Sequence, residues 1–296
     1  MPTGVVYDYS NSHMVGIIMK EAVRRAIMAI RRQRFMFEAK AKTGLSGKLD
    51  DMVTSADHEA QRIYVRVLTR CFPRYGIVGE EESLLVECKL PDGVIVYFTV
   101  DPLDGTRAFV RKQSHGIGTM ISLVCNGEVV AAYVGDVMTQ EIFGFRPESD
   151  AVYRISEFDH VEQLTIRRNF KLSKQYVLLR TDPHKHSYII RSLVASKEAG
   201  GVFRGIEVTG GSIGTSMARL WKGEVGAAVL TPGHNTPWDW CPIFGISKKL
   251  GFVFLKADEK KLTPFEPEVS MKVLKTQYDV LVVHSSRLSE LSHVLK

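Results

Sequence analysis

Cysteine is scarce in this chain and no long apolar run is present. The 296 residues contain four cysteines, Cys71, Cys88, Cys125 and Cys241, without the close spacing of a zinc site. We interpret them as reduced thiols of a cytoplasmic protein. No apolar stretch approaches about 18 residues, and the first residues lack a basic and then apolar leader. Neither a membrane span nor secretion is therefore expected.

Charge of one sign is in only modest excess, because the formal net charge is +6. Apolar residues lie on one side of the first predicted helix and the basic residues on the other, so the arginines are interpreted as its solvent-exposed face. No aromatic interleaving or known binding module accompanies them, and nucleic-acid binding is not expected. The basic residues of this helix are Arg24, Arg25, Arg31, Arg32 and Arg34.

The most informative segment is 101–106, with the sequence Asp-Pro-Leu-Asp-Gly-Thr. It follows residues 94–100, an apolar run typical of a buried strand, so Asp101 lies at the carboxyl end of that strand. Pro102 fixes φ, and Gly105 allows a conformation that most residues avoid. A turn at this point lets Asp101, the Leu103 carbonyl and Asp104 face one place.

Such a turn suits a magnesium site. Magnesium prefers octahedral oxygen coordination and keeps some of its waters, which leaves room for a phosphate and an attacking water. Thr106 places a hydroxyl beside that water. An ordinary acidic turn is the alternative, because Asp, Pro and Gly also gather in turns for conformational reasons.

Three more acidic positions accompany this segment, at Glu80 and Glu81, at Asp57, and at Asp239 after Trp238. Each has a plain structural alternative. Acidic runs are often solvated surface, and an acidic residue near the start of a predicted helix is often part of its cap. Together, however, these carboxylates could converge on one multi-magnesium phosphate site.

These blocks, in this order along the chain, resemble the inositol monophosphatase family of magnesium-dependent, lithium-sensitive phosphatases. The resemblance implies a layered α-β-α-β-α fold of mixed α+β and α/β character, and two or three Mg²⁺ ions. It also implies a homodimer acting on a small phosphorylated metabolite. The first metal would bind Glu80, Asp101 and the Leu103 carbonyl, and the second Asp101, Asp104 and Asp239. A third, more weakly bound ion would be held by Glu80 and water.

The resemblance also implies the catalytic groups. Thr106, with Glu80 or Asp57, would orient and deprotonate the water that attacks phosphorus in line, without a covalent phosphoenzyme. Glu81 would either bind a metal ion directly or contact the residues that do. Expected substrate contacts are Gly105 and Thr106, together with Gly214, Thr215 and Ser216 of the Gly-rich segment 210–215, which precedes a predicted helix.

Two departures from the family pattern bear on the substrate. Inositol-specific members carry a Glu that grips inositol hydroxyls where this chain has Pro232. Pro242 follows Trp238-Asp239 closely and is expected only in the first turn of the next helix. The Gly105-Thr106-Arg107 sequence resembles that of family members that dephosphorylate histidinol phosphate. Fructose 1,6-bisphosphate and 3′(2′),5′-bisphosphate nucleotides also stay open as substrates. A non-catalytic ligand-binding protein on the same fold is the alternative from a different class.

Periodicity predicts two lobes. Two helices and strands at residues 94–100, 116–124, 129–135 and 141–145, with a hairpin turn at Asn126-Gly127, predict a mostly antiparallel sheet in lobe 1–155. Residues 148–170 are predicted to be irregular. Lobe 156–296 alternates as α/β, with a helix at 186–199 and a final strand at 280–284. His184 and His186 are interpreted as exposed loop histidines.

Overall fold

The structure is a computed structural model that describes residues 11–49, 51–91 and 93–295. Its helices are α1 Ser12–Gln33, α2 Ser55–Cys71, α3 Thr106–Val110, α4 Tyr188–Leu193, α5 Ile213–Trp221 and α6 Pro237–Lys249. The first ten strands are β1 Ala39–Lys42, β2 Asp51–Thr54, β3 Gly76–Gly79, β4 Leu85–Val86, β5 Val96–Asp104, β6 Gly118–Cys125, β7 Glu128–Asp136, β8 Ile142–Phe145, β9 Tyr153–Ile155 and β10 Val161–Gln163.

The remaining strands are β11 Tyr176–Leu179, β12 Gly205–Val208, β13 Ala227–Leu230, β14 Gly233–Asn235, β15 Phe252–Ala257, β16 Leu262–Phe265, β17 Leu274–Thr276 and β18 Asp279–His284. Single 3-10 turns lie at Glu81–Ser83, Leu172–Lys174, Pro183–Lys185 and Lys197–Ala199, and a longer one at Ser285–Leu291. Within the described residues, no helix has both the length and the apolar character needed to cross a bilayer.

Two large sheets organise the molecule. The first has eight strands in the order β10-β9-β8-β7-β6-β5-β3-β4, and only its β3–β5 pair is parallel. The second has six strands in the order β12-β11-β13-β18-β15-β16, with parallel pairs on both sides of β11. The prediction of a mostly antiparallel first sheet is confirmed.

The layers follow from which faces of these elements are apolar. One apolar core lies between the first sheet and the buried sides of α1 and α2, where residues recur at helical spacing. A second core joins the opposite face of that sheet to α5, α6 and the second sheet, and a third lies under α4. The expected α-β-α-β-α layering is thus confirmed. The division at residues 155 and 156 stays a prediction.

Three local predictions were wrong. Residues 148–170 are not irregular throughout, because β9 and β10 pair in this range and extend the first sheet to its edge. The helix predicted at 186–199 is only α4, and Ser196 caps a separate 3-10 turn after it. Pro242 was expected only in the first turn, but it is the sixth residue of α6 and lies inside the helix. Because a Pro nitrogen carries no hydrogen, α6 lacks one backbone hydrogen bond at this position.

His186 also differs from its interpretation. His184 is exposed, as expected, but His186 is buried, with its Nδ1 2.9 Å from Asp279 Oδ1. The Ser187 amide donates a 2.7 Å hydrogen bond to the other oxygen of the same carboxylate. The partner, at the start of β18, lies 93 residues away in sequence, beyond the reach of local patterns.

Candidate metal centre

Three carboxylates meet at one end of the first sheet. Asp101 and Asp104 lie at the carboxyl end of β5, and Asp239 lies in the first turn of α6. One oxygen from each lies within 4.8 Å of the others. The structure therefore brings together three of the predicted ligands from two separate segments, and their role as ligands stays a prediction.

A bulge in β5 aims two of these side chains. The predicted turn at this point is an irregularity of the strand between Asp101 and Asp104, whose partners on β6 are Met120 and Gly118. Gly105 then takes φ +92° as α3 begins, and a Cβ there would lie 2.3 Å from the Gly116 carbonyl oxygen. Glycine is required at 105 for both reasons.

The carboxylates resist ionising together. Burial, followed by the charges of Glu80, Asp104 and Asp239, holds the pKa of Asp101 well above its usual range. Burial and the charge of Asp104 raise the pKa of Asp239 to about 6. Burial also raises the pKa of Glu80 to about 8, although the charge of Lys42 opposes this shift. A bound cation would relieve this repulsion.

The donor set fits a hard divalent cation. Carboxylate oxygens from Asp101, Asp104 and Asp239 surround one place, and no histidine or cysteine belongs to the group among the described residues. The Leu103 carbonyl lies in the same bulge, where its oxygen is 3.1 Å from the Thr106 hydroxyl. Oxygen-only donors are those that Mg²⁺ prefers.

Asp104 is held rigidly by the start of α5. Its Oδ2 accepts hydrogen bonds from the Ser212 hydroxyl at 2.5 Å and the Gly214 amide at 2.7 Å, and its Oδ1 accepts from the Ile213 amide at 3.0 Å. A Cβ at Gly214 would lie 2.6 Å from Met120 Sδ. The amide of Gly214 is thus directed at a carboxylate rather than at open space.

The two other predicted substrate contacts on α5 are also bonded within the protein. The Thr215 amide donates to Ser212 Oγ at 2.9 Å, and the Ser216 hydroxyl donates to the Ser212 carbonyl at 2.7 Å. Ser216 Oγ additionally accepts from Arg180. A role of Thr215 and Ser216 toward a substrate stays a prediction.

Asp57 and Thr106 form a pair beside the carboxylates. Asp57 is fully buried and completes the capping box of α2, accepting from the Thr54 amide at 2.7 Å and the Thr54 hydroxyl at 2.5 Å. The Thr106 hydroxyl lies 3.1 Å from its other oxygen. Burial raises the pKa of Asp57 to about 6. The cap interpretation of Asp57 is correct, and the same carboxylate also reaches Thr106.

Sequence reasoning missed Lys42. Its ammonium group on β1 lies 2.6 Å from Glu81 Oε1 and 3.1 Å from Glu80 Oε1. Glu81 itself is buried and exchanges backbone hydrogen bonds with the Gln61 side chain. The alternating Ala-Lys-Ala-Lys sequence of β1 indicates a strand, but no local pattern indicates a partner 38 residues away.

Arg180 was missed as well. It follows β11 directly, and its guanidinium donates to the Gly211 carbonyl at 2.5 Å and to the Ser212 carbonyl and Ser216 hydroxyl, each at 3.0 Å. Burial lowers its pKa, while the nearby carboxylates of Asp104 and Asp239 oppose that shift. Its place at the carboxyl end of an apolar run, like that of Asp101, is the signal that could have found it.

Comparison with known families identifies the family of this chain. A model of the inositol monophosphatase family matches residues 12–289, nearly the whole chain. The chain belongs to the inositol monophosphatase family. The resemblance carried by the acidic motifs is therefore confirmed, and the site described above lies within the matched residues.

Curated relatives align over shorter stretches. An inositol-1-monophosphatase of Rhizobium meliloti is 38% identical over 93 residues, which are 31% of this chain and 33% of that protein. A Nus factor SuhB of Xylella fastidiosa is 34% identical over 93 residues, 31% of each chain. The aligned part is thus about a third of the length of these relatives, which differ from each other in their named roles.

A solved structure supports the fold over most of the chain. An inositol monophosphatase/NADP phosphatase complexed with Mg²⁺ and phosphate superposes with a TM-score of 0.68 and 15% identity, covering 96% of both chains. At this level of identity the likeness establishes the fold alone.

Proposed function

We propose that this protein is a magnesium-dependent phosphomonoesterase that hydrolyses a small phosphorylated metabolite. The observation that carries the proposal is the approach of Asp101, Asp104 and Asp239 to within 4.8 Å. Membership of the inositol monophosphatase family supports it, as does a neighbour whose structure contains Mg²⁺ and phosphate.

The proposed ligand set consists of oxygen atoms from four carboxylates and one backbone carbonyl. Glu80, Asp101 and the Leu103 carbonyl would hold one ion, and Asp101, Asp104 and Asp239 a second. A third, weaker ion would bind at Glu80. Bound magnesium supplies a water of lowered pKa and positive charge near the phosphoryl oxygens and the leaving alkoxide.

The protein's own residues then position the water. We assign this role to the Thr106 hydroxyl, because Asp57 on one side and the Leu103 carbonyl on the other hold it at 3.1 Å each. The double hydrogen bond from Thr54 fixes Asp57, so its free oxygen points at Thr106. Asp57 or Glu80 is the candidate base, since Asp57 contacts the Thr106 hydroxyl and Glu80 would hold the ion that binds the water. Attack is in line and forms no phosphoenzyme.

For the substrate we propose a class of compounds and not a single compound. An inositol monophosphatase-like ester is the leading candidate, with histidinol phosphate, fructose 1,6-bisphosphate and bisphosphate nucleotides as alternatives. Pro232 is exposed and has no side-chain hydrogen-bonding group, so it cannot grip a hydroxyl. Arg107 is exposed on α3, beside the predicted water-positioning Thr106.

A non-catalytic role on the same fold is the competing proposal. One observation favours it, namely that a relative of similar identity is named a Nus factor rather than a phosphatase. The presence of all the carboxylates that the phosphatase site requires argues against it.

Phosphate release tests the proposal. We would measure it with magnesium, with and without lithium, on inositol 1-phosphate, histidinol phosphate, fructose 1,6-bisphosphate and 3′-phosphoadenosine 5′-phosphate. We expect turnover of at least one ester and its inhibition by lithium. Asp101→Asn should reduce turnover on the order of a thousandfold, because the amide no longer neutralises a cation.

The matched control is Asp150→Asn, which removes one carboxylate from an exposed site. It should retain activity, and circular dichroism should show both variants folded. Metal-dependent turnover that survives Asp101→Asn would show the ligand assignment to be wrong. No turnover of any ester by metal-loaded protein would favour the non-catalytic alternative.

A further inference from the structure

A cavity of about 620 Å³ adjoins the candidate metal centre. Two predicted metal ligands, Glu80 and Asp239, lie in its wall, and so does Trp238. Such a volume is within the range of sites for small organic ligands and much larger than a phosphate group needs. A phosphate held at the carboxylates would therefore leave room beside it for the alcohol part of its ester.

Four exposed apolar side chains lie in the wall of this cavity. Leu45, Leu85, Met271 and Val273 line it, and their exposed fractions are 53%, 64%, 45% and 37%. We call these four residues the apolar rim. They come from the loop between β1 and β2, from β4, and from the segment before β17, so three distant parts of the chain place apolar side chains in one cavity wall.

Polar side chains line the rest of this cavity, at Asp51, Glu82, Ser83 and His234 as well as beside the predicted metal ligands. Lys42 is paired with Glu80 and Glu81, and the Thr236 hydroxyl donates to Asp239. An exposed apolar patch that adjoins a polar site is a common mark of ligand binding. Its continuity with Glu80 and Asp239 favours the substrate itself as the occupant over a separate partner.

We propose that the alcohol part of the substrate is an alkyl or aryl group that packs on the apolar rim, rather than a polyol. This inference rests on the proposed phosphatase function and names its substrate class. The phosphate lies at the carboxylates, and the apolar group extends from it into the cavity. Each methylene buried there should improve kcat/KM by about fourfold.

Methyl, butyl and hexyl phosphate, with glycerol 1-phosphate as the polyol, provide the test. In the wild-type protein kcat/KM should rise with chain length, mainly through a lower KM, and butyl phosphate should exceed glycerol 1-phosphate. A Leu85→Ser and Met271→Ser double variant should lose most of this rise, so that the ratio of kcat/KM for hexyl phosphate to that for methyl phosphate falls toward one. Both side chains are exposed, so the fold should tolerate the changes.

Val161→Ser is the matched control. Val161 is 55% exposed on β10, at the opposite edge of the eight-stranded sheet from β4. Its substitution should leave the chain-length dependence unchanged. Equal kcat/KM for all esters, or an equal loss in the control and the double variant, would overturn the apolar-rim proposal while leaving the phosphatase function standing.

Calorimetry separates the two proposals if no ester is hydrolysed. Titration of hexyl and methyl phosphate into the calcium-loaded protein measures binding without turnover. Tighter binding of hexyl phosphate, lost in the double variant and kept in Val161→Ser, would support the apolar rim even if the phosphatase function failed. Equal binding of the two esters would refute it.

Discussion

Lys42 donates a 2.6 Å hydrogen bond to Glu81, and the same ammonium group lies 3.1 Å from Glu80. The ammonium group of Lys42 therefore already pairs with Glu80, which is the proposed ligand of a weakly held metal ion. The strand β1 that carries Lys42 pairs with β2, which leads into the capping box of Asp57. The β1–β2 hairpin thus links the carboxylates of Glu80 and Glu81 to the hydrogen-bonded pair of Asp57 and Thr106.

Lys42→Gln should tighten binding of Mn²⁺, used as a probe for the metal site, by about fivefold. The reason is that the substitution removes a positive charge that competes for Glu80 in a partly buried place. Isothermal titration calorimetry measures the change. Lys40→Gln is the control, because Lys40 lies on the same strand and is exposed. An equal change in Mn²⁺ affinity in both variants would show that the effect comes from net charge and not from the contact with Glu80.

Thr106→Val should lower kcat by about a hundredfold or more, whereas Thr106→Ser should keep most of it. Serine retains the hydroxyl held between Asp57 and the Leu103 carbonyl, and valine keeps the shape without it. Steady-state kinetics with saturating magnesium gives the comparison. Comparable kcat values for the two variants would show that the hydroxyl is not needed for catalysis.

Arg180→Met should lower the free energy of unfolding by about 2–3 kcal/mol. The guanidinium holds two carbonyls and a hydroxyl at the start of α5, and methionine leaves them without that donor. Urea unfolding measures the loss. Arg204→Met, at an exposed arginine over the Tyr176 ring, should cost less than about 1 kcal/mol. Losses of similar size would show that the buried hydrogen bonds contribute little.

The metal-free protein should become less stable as pH rises from about 5 to about 9. The pKa is raised by burial to about 6 for Asp57 and Asp239 and to about 8 for Glu80. A carboxyl whose pKa is higher in the folded state binds more protons there, so its contribution is lost as pH rises through that pKa. Differential scanning calorimetry with a chelator should show Tm falling over this range.

Saturating magnesium should weaken that dependence, because the ion neutralises the same carboxylates. Glu80→Gln should remove the part of the fall near pH 8. A metal-free Tm that rises with pH through this window would contradict the assigned environment of the carboxylates.

Features that depend on neighbouring residues were predictable from sequence. The Asn126-Gly127 hairpin, the capping role of Asp57 and the need for Gly105 follow from backbone conformation within a few residues. The family, and with it the layered fold, followed from acidic blocks whose order and composition are visible in the chain. The misplaced element ends, as at α4, reflect competition between local caps and periodicity.

The sequence by itself determined the chemistry available, namely oxygen ligands, a threonine hydroxyl and glycines where backbones approach closely. The tertiary structure alone decided the pairing of Lys42 with Glu80, the clamp of Arg180 on α5, the burial of His186 against Asp279 and the apolar rim. Each of these joins residues far apart in sequence. Such contacts depend on how sheets and helices pack, because local propensity acts over only a few residues.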